Sequence, residues 1–209
     1  MTASPVPRDV RVCVFGDSFV AGVGDSKALG WVGRVAAKTP PSTGVALTIY
    51  ALGVRGESVE DVVVRMPLET SPRFARGDEH GVVLAVPANA ADHLDRSVAT
   101  VEFGLDTTSA RRLVVGLPPV GPAEEWAAIG KLDEALAALC DRLEVPYIST
   151  YRGLVGRRPW VEQELVDGVH PGQAGYGMLA YAVLHGGWYE WLGVQPPAAT
   201  TERRRSVTV

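Results

Sequence analysis

The sequence predicts an α/β protein in which helices cover both faces of a parallel sheet. Three observations lead to this prediction. Short apolar runs alternate with segments of helical composition, and parallel neighbouring strands need such crossover connections. Most of these apolar runs end at glycine or proline, as strands do where they leave a sheet. The 209 residues contain no internal repeat or low-complexity linker, so their length suits one domain.

Two strands and two helices are predicted in the first part of the chain. Residues 10–15 form a β-branched apolar run that ends at a glycine, as a buried parallel strand would. A helix is predicted over residues 28–38, and residues 45–52 form the second strand. Ser58 then provides a capping side chain for a helix that we expect to stop by Pro67, because proline disrupts a helix interior.

Three further strands and two helical regions follow. Residues 81–86 and 112–117 are the third and fourth strands, since both are short apolar runs that stop at proline. Residues 145–148 form a candidate fifth strand. The clearest helix runs from Trp126, with an apolar stripe at Ile129, Leu132, Leu136, Leu139 and Leu143. A final helical region covers residues 174–184 and 188–192, interrupted by Gly186 and Gly187.

Composition argues against several classes of function. Hydrophobic residues make up 46% and charged residues 21%, as in a folded globular protein. The net charge of −4 gives no basic field for a phosphate backbone, so nucleic acid is not an expected partner. Cys13 and Cys140 both lie in apolar segments, which favours buried thiols over a disulfide or a thiolate metal site.

The two ends of the chain carry no apolar signal. Residues 1–8 lack the apolar core of a signal peptide, and no apolar run reaches the ~18 to 20 residues of a membrane span. We therefore expect a cytoplasmic location and no membrane partner. Residues 196–209 contain prolines followed by polar and basic residues, which predicts a flexible tail and leaves residues 1–195 as the domain.

A candidate nucleophile follows the first strand directly. In open α/β sheets ligands bind beyond the carboxyl ends of the strands, and Gly16-Asp17-Ser18 lies at such an end. There a serine can present its hydroxyl beside free backbone N–H groups. Alone, the tripeptide is a weak signal, because Ser18 could simply cap a helix while Asp17 braces a turn.

A candidate base and its orienting acid lie near the end of the chain, in Asp167-Gly168-Val169-His170-Pro171. A carboxylate three residues before an imidazole can reach one ring nitrogen within a single turn. The other nitrogen then points outward. Pro171 biases the residue before it towards an extended conformation. Asp167 could thus fix the tautomer of His170, which could take the proton of Ser18.

Two further residues could donate hydrogen bonds to a developing oxyanion. Gly53, at the end of the second strand, could offer a backbone N–H without a side chain in the way. Asn89, beyond the third strand, could offer its amide. Together with the N–H of Ser18, these groups would form a three-donor oxyanion hole.

In this order, the residues Gly16-Asp17-Ser18, Gly53, Asn89 and Asp167-x-x-His170 resemble the four blocks of the SGNH hydrolases, also called GDSL esterases/lipases. The resemblance covers residues 10–194. The sequence around the first and last blocks is similar to the bacterial single-domain branch of the family. It implies a flavodoxin-like, three-layer α/β/α sandwich with a five-stranded sheet. It also implies Ser18 as nucleophile and donor, a triad with Asp167 and His170, and the other donors on Gly53 and Asn89. A small ester substrate is implied, without a metal or organic cofactor.

One block departs from the family pattern. Where the family has Gly-x-Asn-Asp, this chain has Pro87-Ala88-Asn89-Ala90, so both the glycine and the aspartate are missing. Pro87 restrains the loop and can move the Asn89 amide. The missing aspartate removes an acceptor that could hold the loop, although Asp92 lies two residues further on.

Three functions stay open. The main one is a serine esterase that works through an acyl-enzyme on Ser18. The same site could serve an acyltransferase, a thioesterase or a cyclising enzyme, because the acyl-enzyme can react with acceptors other than water. The altered third block leaves room for a binding protein that has lost catalysis.

Other kinds of site are less well supported. The chain lacks the Gly-x-Ser-x-Gly motif of an α/β-hydrolase, a P-loop and a dinucleotide fingerprint. The remaining histidines, at positions 80, 93 and 185, have no ligand-like spacing, so no metal is expected. Most aromatic residues are expected in the core, but Trp160 could line a pocket. Arg55 could meet an anionic group, although an exposed salt bridge is the more ordinary role.

Overall fold

The structure, a computed structural model, describes residues 6–163 and 165–197. Its centre is a parallel sheet with the order β2-β1-β3-β4-β5, which is the flavodoxin-like arrangement. The strands are β1 (Arg8–Gly16), β2 (Val45–Gly53), β3 (Glu79–Ala85), β4 (Arg111–Val115) and β5 (Tyr147–Ile148). The predicted fold class is confirmed. The predicted tail lies outside the described residues from residue 198 onward.

Helices cover both faces of this sheet. They are α1 (Ser18–Ala21), α2 (Gly30–Ala37), α3 (Val59–Arg73), α4 (Leu94–Asp106), α5 (Trp126–Arg142), α6 (Thr150–Leu154), α7 (Arg158–Val161), α8 (Gln173–Val183) and α9 (Tyr189–Leu192). Side chains alternate along β1, so Val12 and Val14 share one core cluster with residues of α2, α8 and α9. Cys13 and Phe15 share the other with residues of α3, α4 and α5. The protein is therefore a three-layer sandwich.

Helix α3 begins after Ser58, as predicted, but it continues through Pro67, so the expectation that it stops there is wrong. Proline removes one backbone N–H from the helix and crowds the preceding turn. Burial of one face of the helix offsets this cost. The inner face of the helix is fully buried at Val59, Val62, Val63 and Met66.

Helix α4 lies between β3 and β4, where the sequence suggested no element. Its buried positions are Ser97, Val101, Gly104 and Leu105. Two of these four are small or polar, so the apolar stripe is narrow and the helical period is weak in the sequence. Close packing explains the small residue, since a Cβ on Gly104 would lie 2.5 Å from the side chain of Val63 on α3.

Trp160 lies in the short helix α7 and not in a pocket. Its side chain is 3% exposed, and its Nε1 donates a 2.8 Å hydrogen bond to the carbonyl of Pro119. The expectation that it could line a pocket is therefore wrong. Both cysteines are buried and free, as predicted.

The last helical region is interrupted at the two glycines, as predicted. Between α8 and α9 the chain makes a wide π-helical turn over Leu184–Trp188. Gly187 has a φ of 135°, which only glycine adopts readily. A Cβ on Gly186 would lie 2.7 Å from the side chain of Ile148, so this turn packs directly on β5. Of the helices in the described part of the chain, none combines the length and the apolar character needed to cross a bilayer.

Candidate active site

The first three site residues lie where neighbouring strands end. Ser18 follows β1, Gly53 is the last residue of β2, and Asn89 follows β3. Because these strands are parallel and adjacent, their carboxyl ends meet at one edge of the sheet. The fold thus brings the three residues to the same edge, although they are far apart in the chain.

Asp17, rather than Ser18, caps the first helix. Its Oδ1 accepts a 3.0 Å hydrogen bond from the N–H of Phe19, and Ser18 is the first residue of α1. Because the first N–H groups of a helix have no intrahelical acceptor, the N–H of Ser18 is left for another partner. The alternative in which Ser18 serves only as a cap is therefore wrong.

Asp17 also ties this turn to the loop that carries Asn89. Its Oδ2 accepts a 2.7 Å hydrogen bond from the N–H of Ala88, and the residue is only 5% exposed. Burial raises the pKa of Asp17, while the hydrogen bonds from Ala88 and Phe19 act against that rise. Sequence reasoning gave Asp17 at most the role of bracing a turn and missed this second contact.

The Asp167–His170 turn has the geometry that its spacing predicts. Gly168 has a φ of 81°, and the N–H of Val166 donates a 2.9 Å hydrogen bond to the carbonyl of His170. The resulting loop folds the carboxylate back on the imidazole. Oxygens of Asp167 lie 2.8 and 2.9 Å from Nδ1 of His170, and Oδ1 also accepts the backbone N–H of His170 at 2.9 Å.

The opposite ring nitrogen meets the candidate nucleophile. Nε2 of His170 lies 2.8 Å from Oγ of Ser18, across 152 residues of sequence. A carboxylate only accepts hydrogen bonds, so Nδ1 carries the proton of the neutral ring and Nε2 accepts from the serine hydroxyl. Ser18, His170 and Asp167 therefore form a continuous chain of hydrogen bonds with the polarity that proton removal from serine needs.

The surroundings keep this chain in order. Both Ser18 and His170 are buried, with exposures of 6% each, and the ring of Phe19 lies 5.4 Å from the imidazole. Asp167 is more open. The backbone N–H and the ring of His170 lower the pKa of Asp167 to about 2, so its carboxylate stays ionised at neutral and mildly acidic pH.

Arg55 lies on the open side of this carboxylate. Its Nη2 is 3.4 Å from Oδ2 of Asp167, and its side chain is 65% exposed. The ordinary role of an exposed salt bridge, given above as the alternative to an anion contact, is thus the one observed.

Gly53 lies against the backbone of α1. A Cβ at this position would be 2.2 Å from the backbone nitrogen of Ala21 and 2.5 Å from the carbonyl oxygen of Asp17. The glycine therefore permits close packing of β2 on the nucleophile turn. The expectation was that Gly53 leaves its N–H open where a side chain would block approach. The group that approaches Gly53 in the structure is the backbone of residues 17–21.

Asn89 lies in a 3₁₀ turn, Ala88–His93, directly after the residue that bonds to Asp17. Its side chain is exposed and lines a cavity beside the N-terminal ends of α3 and α4. Pro87 has extended backbone angles, with a φ of −62° and a ψ of 154°, and starts this turn. The altered third block thus remains attached to the turn of Ser18 through the bond between Ala88 and Asp17.

A buried ion pair holds the loop that packs against His170. The sequence analysis did not identify this pair. The carboxylate of Asp25 is fully buried and pairs with the guanidinium of Arg34. It also accepts backbone N–H bonds from Lys27, Leu29 and Gly30 at 2.8 to 3.1 Å. This network shapes the loop between α1 and α2. The only hint in the sequence is an aspartate shortly before a helix, a common turn residue.

That loop makes close contact with the histidine turn. A Cβ on Gly24 would be 3.2 Å from Cβ of His170 and 2.9 Å from the carbonyl oxygen of Pro171. Arg34 donates a 3.3 Å hydrogen bond to the carbonyl of Gln173, two residues after Pro171. The Asp25–Arg34 pair therefore connects the loop after the serine to the segment after the histidine.

No group of three or more histidine, cysteine, aspartate or glutamate side chains within residues 6–163 and 165–197 is arranged to hold a metal ion. The chemistry of the site can be read from its protein groups. They comprise a serine hydroxyl in contact with an imidazole, a carboxylate on the other ring nitrogen, and backbone N–H groups at the strand ends. Such a set suits acyl transfer through a covalent serine intermediate.

The sequence also matches a family of known proteins. Residues 14–178 match the GDSL-like lipase/acylhydrolase family. The match includes the serine turn, Gly53, Asn89 and the Asp167–His170 turn. No curated protein is significantly similar to the chain in sequence.

Solved structures share the fold at low sequence identity. A member of the lipolytic G-D-S-L family from Veillonella parvula has a TM-score of 0.69 and 18% identity, covering 84% of this chain and 97% of its own. A lipase/acylhydrolase from Enterococcus faecalis has a TM-score of 0.64 and 22% identity, covering 90% and 99%. An acetylxylan esterase from Geobacillus stearothermophilus, solved as a catalytic mutant, has a TM-score of 0.67 and 17% identity, covering 88% of this chain and 95% of its own. These similarities show a common architecture.

Proposed function

The chain belongs to the GDSL-like lipase/acylhydrolase family, and we propose that it is a serine esterase that cleaves carboxylic esters through an acyl-enzyme on Ser18. The expectation of an ester-bond hydrolase is confirmed at the level of the family. The observation that carries the finer proposal is the 2.8 Å contact between Ser18 Oγ and His170 Nε2, with Asp167 on Nδ1.

The first half of the reaction acylates the serine. Oγ of Ser18 attacks the carbonyl carbon of the ester while Nε2 of His170 takes the hydroxyl proton. The carbonyl π pair moves onto oxygen, which gives a tetrahedral oxyanion. When this intermediate collapses, the bond to the alcohol oxygen breaks and Nε2 returns the proton to that oxygen. The alcohol leaves, and the acyl group stays on Ser18.

The second half repeats the steps with water. His170 takes a proton from water, the hydroxyl attacks the acyl carbon, and the bond to Ser18 breaks with return of the proton to Oγ. Asp167 stays ionised throughout and stabilises the imidazolium that forms twice in each cycle. The products are a carboxylic acid and an alcohol, so no oxidant, metal or further co-reactant is needed for balance.

Three groups are proposed to stabilise the oxyanion. They are the N–H of Ser18, the N–H of Gly53 and the amide of Asn89. Their positions support this role, because all three lie at the ends of adjacent strands. The hydrogen bond between Asp17 and Ala88 holds the Asn89 loop beside the serine turn. Donors fixed before the reaction lower the barrier because they need no reorganisation when charge develops.

An active-site-directed probe tests this proposal. We expect a fluorophosphonate to label the protein with one equivalent, and peptide mass spectrometry to place the label on Ser18. Ser18→Ala should abolish labelling. Ser71→Ala, at an exposed serine of α3, is the matched control and should label like the parent. Absence of labelling in the parent, or labelling that survives Ser18→Ala, would contradict the proposed nucleophile.

The acceptor and the location are tested separately. With an added alcohol, an esterase releases mainly free acid, whereas an acyltransferase or a cyclising enzyme gives mainly the transferred or cyclic product. Free acid is the expected result. The cytoplasmic location remains a prediction from the sequence, which fractionation of the source cells would check.

A further inference from the structure

A cavity of about 300 Å³ lies beside Asn89, and its lining includes none of Ser18, Asp167 and His170. It is formed by the N-terminal ends of α3 and α4 and by the 3₁₀ turn between β3 and α4. Side chains of Ser58 and Glu60 line it from one side, and those of Asp92 and Arg96 from the other. Nothing in the proposed ester chemistry so far uses this space.

One hydrogen bond links the loop that lines the cavity to the turn of Ser18. Asn89 lines the cavity, its neighbour Ala88 bonds to Asp17, and Asp17 directly precedes Ser18. Asn89 borders the cavity, so a substrate carbonyl held between Ser18 and the Asn89 amide would lie close enough for one substituent to reach this space.

The position of His170 indicates which half of the ester this is. The histidine lies on the α8 side of the sheet, against Gly24 and Phe19. The cavity lies on the other side, between α3 and α4. Since His170 must protonate the leaving alcohol, the alcohol half has to lie near the histidine. The acyl half is left to extend past Asn89 towards the cavity.

The lining of the cavity is polar and charged. Glu60 and Arg96 form an ion pair of 2.5 Å across it, and Arg96 is largely exposed. Asp92 and Asn89 add further polar side chains, both exposed to this space. An alkyl chain here would remove water from these groups without replacing their hydrogen bonds, which is costly. A group with its own hydrogen-bond donor would replace that water.

We propose that this cavity is the acyl pocket and that it takes a short acyl group carrying a hydroxyl or amino donor. The proposal rests on the proposed function of Ser18, because it assigns a substrate to that site. The volume, at the lower end of the ~300 to 1,000 Å³ typical of ligand sites, suits a short group and not a fatty acyl chain. Carboxylates of Asp92 and Glu60 provide acceptors for the donor and disfavour an anionic acyl group.

Matched esters test the proposal. The p-nitrophenyl esters of 3-hydroxybutanoate and 3-methylbutanoate have acyl groups of the same chain length and branching, and differ only in a methyl group in place of the hydroxyl. After correction for their rates with hydroxide, we expect kcat/KM to be roughly tenfold higher for the hydroxy ester, because an unmatched polar site rejects the analogue that lacks the hydroxyl. The 3-aminobutanoate ester separates an amino from a hydroxyl preference.

One variant and a matched control link the preference to the cavity. Asp92→Leu removes an acceptor at an exposed position, so it should abolish most of the preference. Asp95→Leu makes the same change on the first turn of α4, outside the cavity lining, and should keep the preference. Equal or better turnover of the 3-methylbutanoate ester by the parent would overturn the proposal, as would a preference that Asp92→Leu leaves intact.

Failure of the proposed function would look different. If the parent turns over none of the esters, the esterase proposal fails. The acyl-pocket proposal is then tested by measuring ester binding. In that case the methyl esters of the same two acids are titrated into Ser18→Ala protein. Tighter binding of the hydroxy ester, lost in Ser18→Ala/Asp92→Leu, would support the pocket. Equal binding of the two esters would refute it.

Discussion

The carboxylate of Asp17 accepts a 2.7 Å hydrogen bond from the backbone N–H of Ala88, a residue 71 positions further along the chain. This bond joins the turn that presents Ser18 to the loop that presents Asn89. The third block of this chain lacks the aspartate that its family usually has, and Asp92 is exposed on the cavity side. Asp17 thus links the turn of Ser18 directly to the loop of Asn89.

We expect Asp17→Asn to reduce kcat by roughly tenfold or more with little change in KM. The reason is that the hydrogen bonds of Asp17 orient the turn of Ser18 relative to the loop of Asn89. An amide has one acceptor oxygen, so it can serve Phe19 or Ala88 but not both in the same way. Steady-state kinetics with a p-nitrophenyl ester checks this. A parent-like kcat in a folded variant would show that the link has no role in turnover.

Gly53 provides the second prediction. Gly53→Ala places a Cβ within 2.2 to 2.8 Å of backbone atoms of α1, which cannot move aside without shifting Ser18. We expect a loss of unfolding free energy of roughly 3 kcal/mol, together with a loss of activity. Gly177→Ala in α8 is the control, because nothing lies within 4 Å of its Cβ, and it should be neutral or stabilising. Equal stability of the two variants in urea unfolding would contradict the packing described for Gly53.

The buried pair of Asp25 and Arg34 leads to a prediction about acid stability. The guanidinium of Arg34 and backbone N–H groups lower the pKa of Asp25 from 3.8 to about 2. A carboxyl group whose pKa is lower in the folded state stabilises the fold at pH values above its unfolded pKa. This stabilisation is lost as the pH falls from about 4 to about 2.

We therefore expect Asp25→Asn to lower the unfolding free energy by roughly 3 kcal/mol at pH 7, because it leaves Arg34 without its partner. The deficit relative to the parent should shrink between pH 4 and pH 2. Glu162→Gln, in the exposed pair with Arg158, serves as the control and should cost at most about 0.5 kcal/mol. A deficit that is the same at pH 7 and pH 2.5 would argue against an ionised Asp25 in the fold.

The fourth prediction concerns Asp167. In Asp167→Asn the amide can donate to Nδ1 of His170 and so stabilise the wrong tautomer, with a proton on Nε2 facing Ser18. We expect kcat to fall by roughly 10³- to 10⁴-fold. Arg55→Ala removes the other partner of this carboxylate, at an exposed position, and should change kcat by less than about threefold. Similar effects of the two substitutions would mean that Asp167 acts only as part of a surface ion pair.

The sequence predicts the sheet and the Ser18–His170–Asp167 contact for definable physical reasons. Buried parallel strands are continuous apolar runs, so all of them could be located, with differences of a few residues at their ends. The carboxylate of Asp167 and the ring of His170 lie within one turn, so their contact depends on local geometry that spacing describes. The contact to Ser18 then follows from the rule that ligand sites lie at the strand ends.

The features that the sequence did not predict depend on tertiary packing. Helix α3 continues through Pro67 because burial of its inner face outweighs the unfavourable helix propensity of proline. Rules based on neighbouring residues do not include the energy of that burial. Helix α4 is buried partly through Ser97 and Gly104, whose size matters only against Val63. The contacts of Asp17 with Ala88 and of Asp25 with Arg34 join side chains to distant or irregular backbone, for which periodicity gives no signal.

The proposed esterase mechanism depends most directly on Ser18. We would measure release of p-nitrophenol from acetate through octanoate esters by the parent and by Ser18→Ala, with thermal unfolding of both proteins as the check on folding. The predicted result is turnover by the parent that falls by at least roughly 10⁴-fold in Ser18→Ala, at an unchanged unfolding temperature. Hydrolysis by Ser18→Ala at the rate of the parent would contradict the central claim.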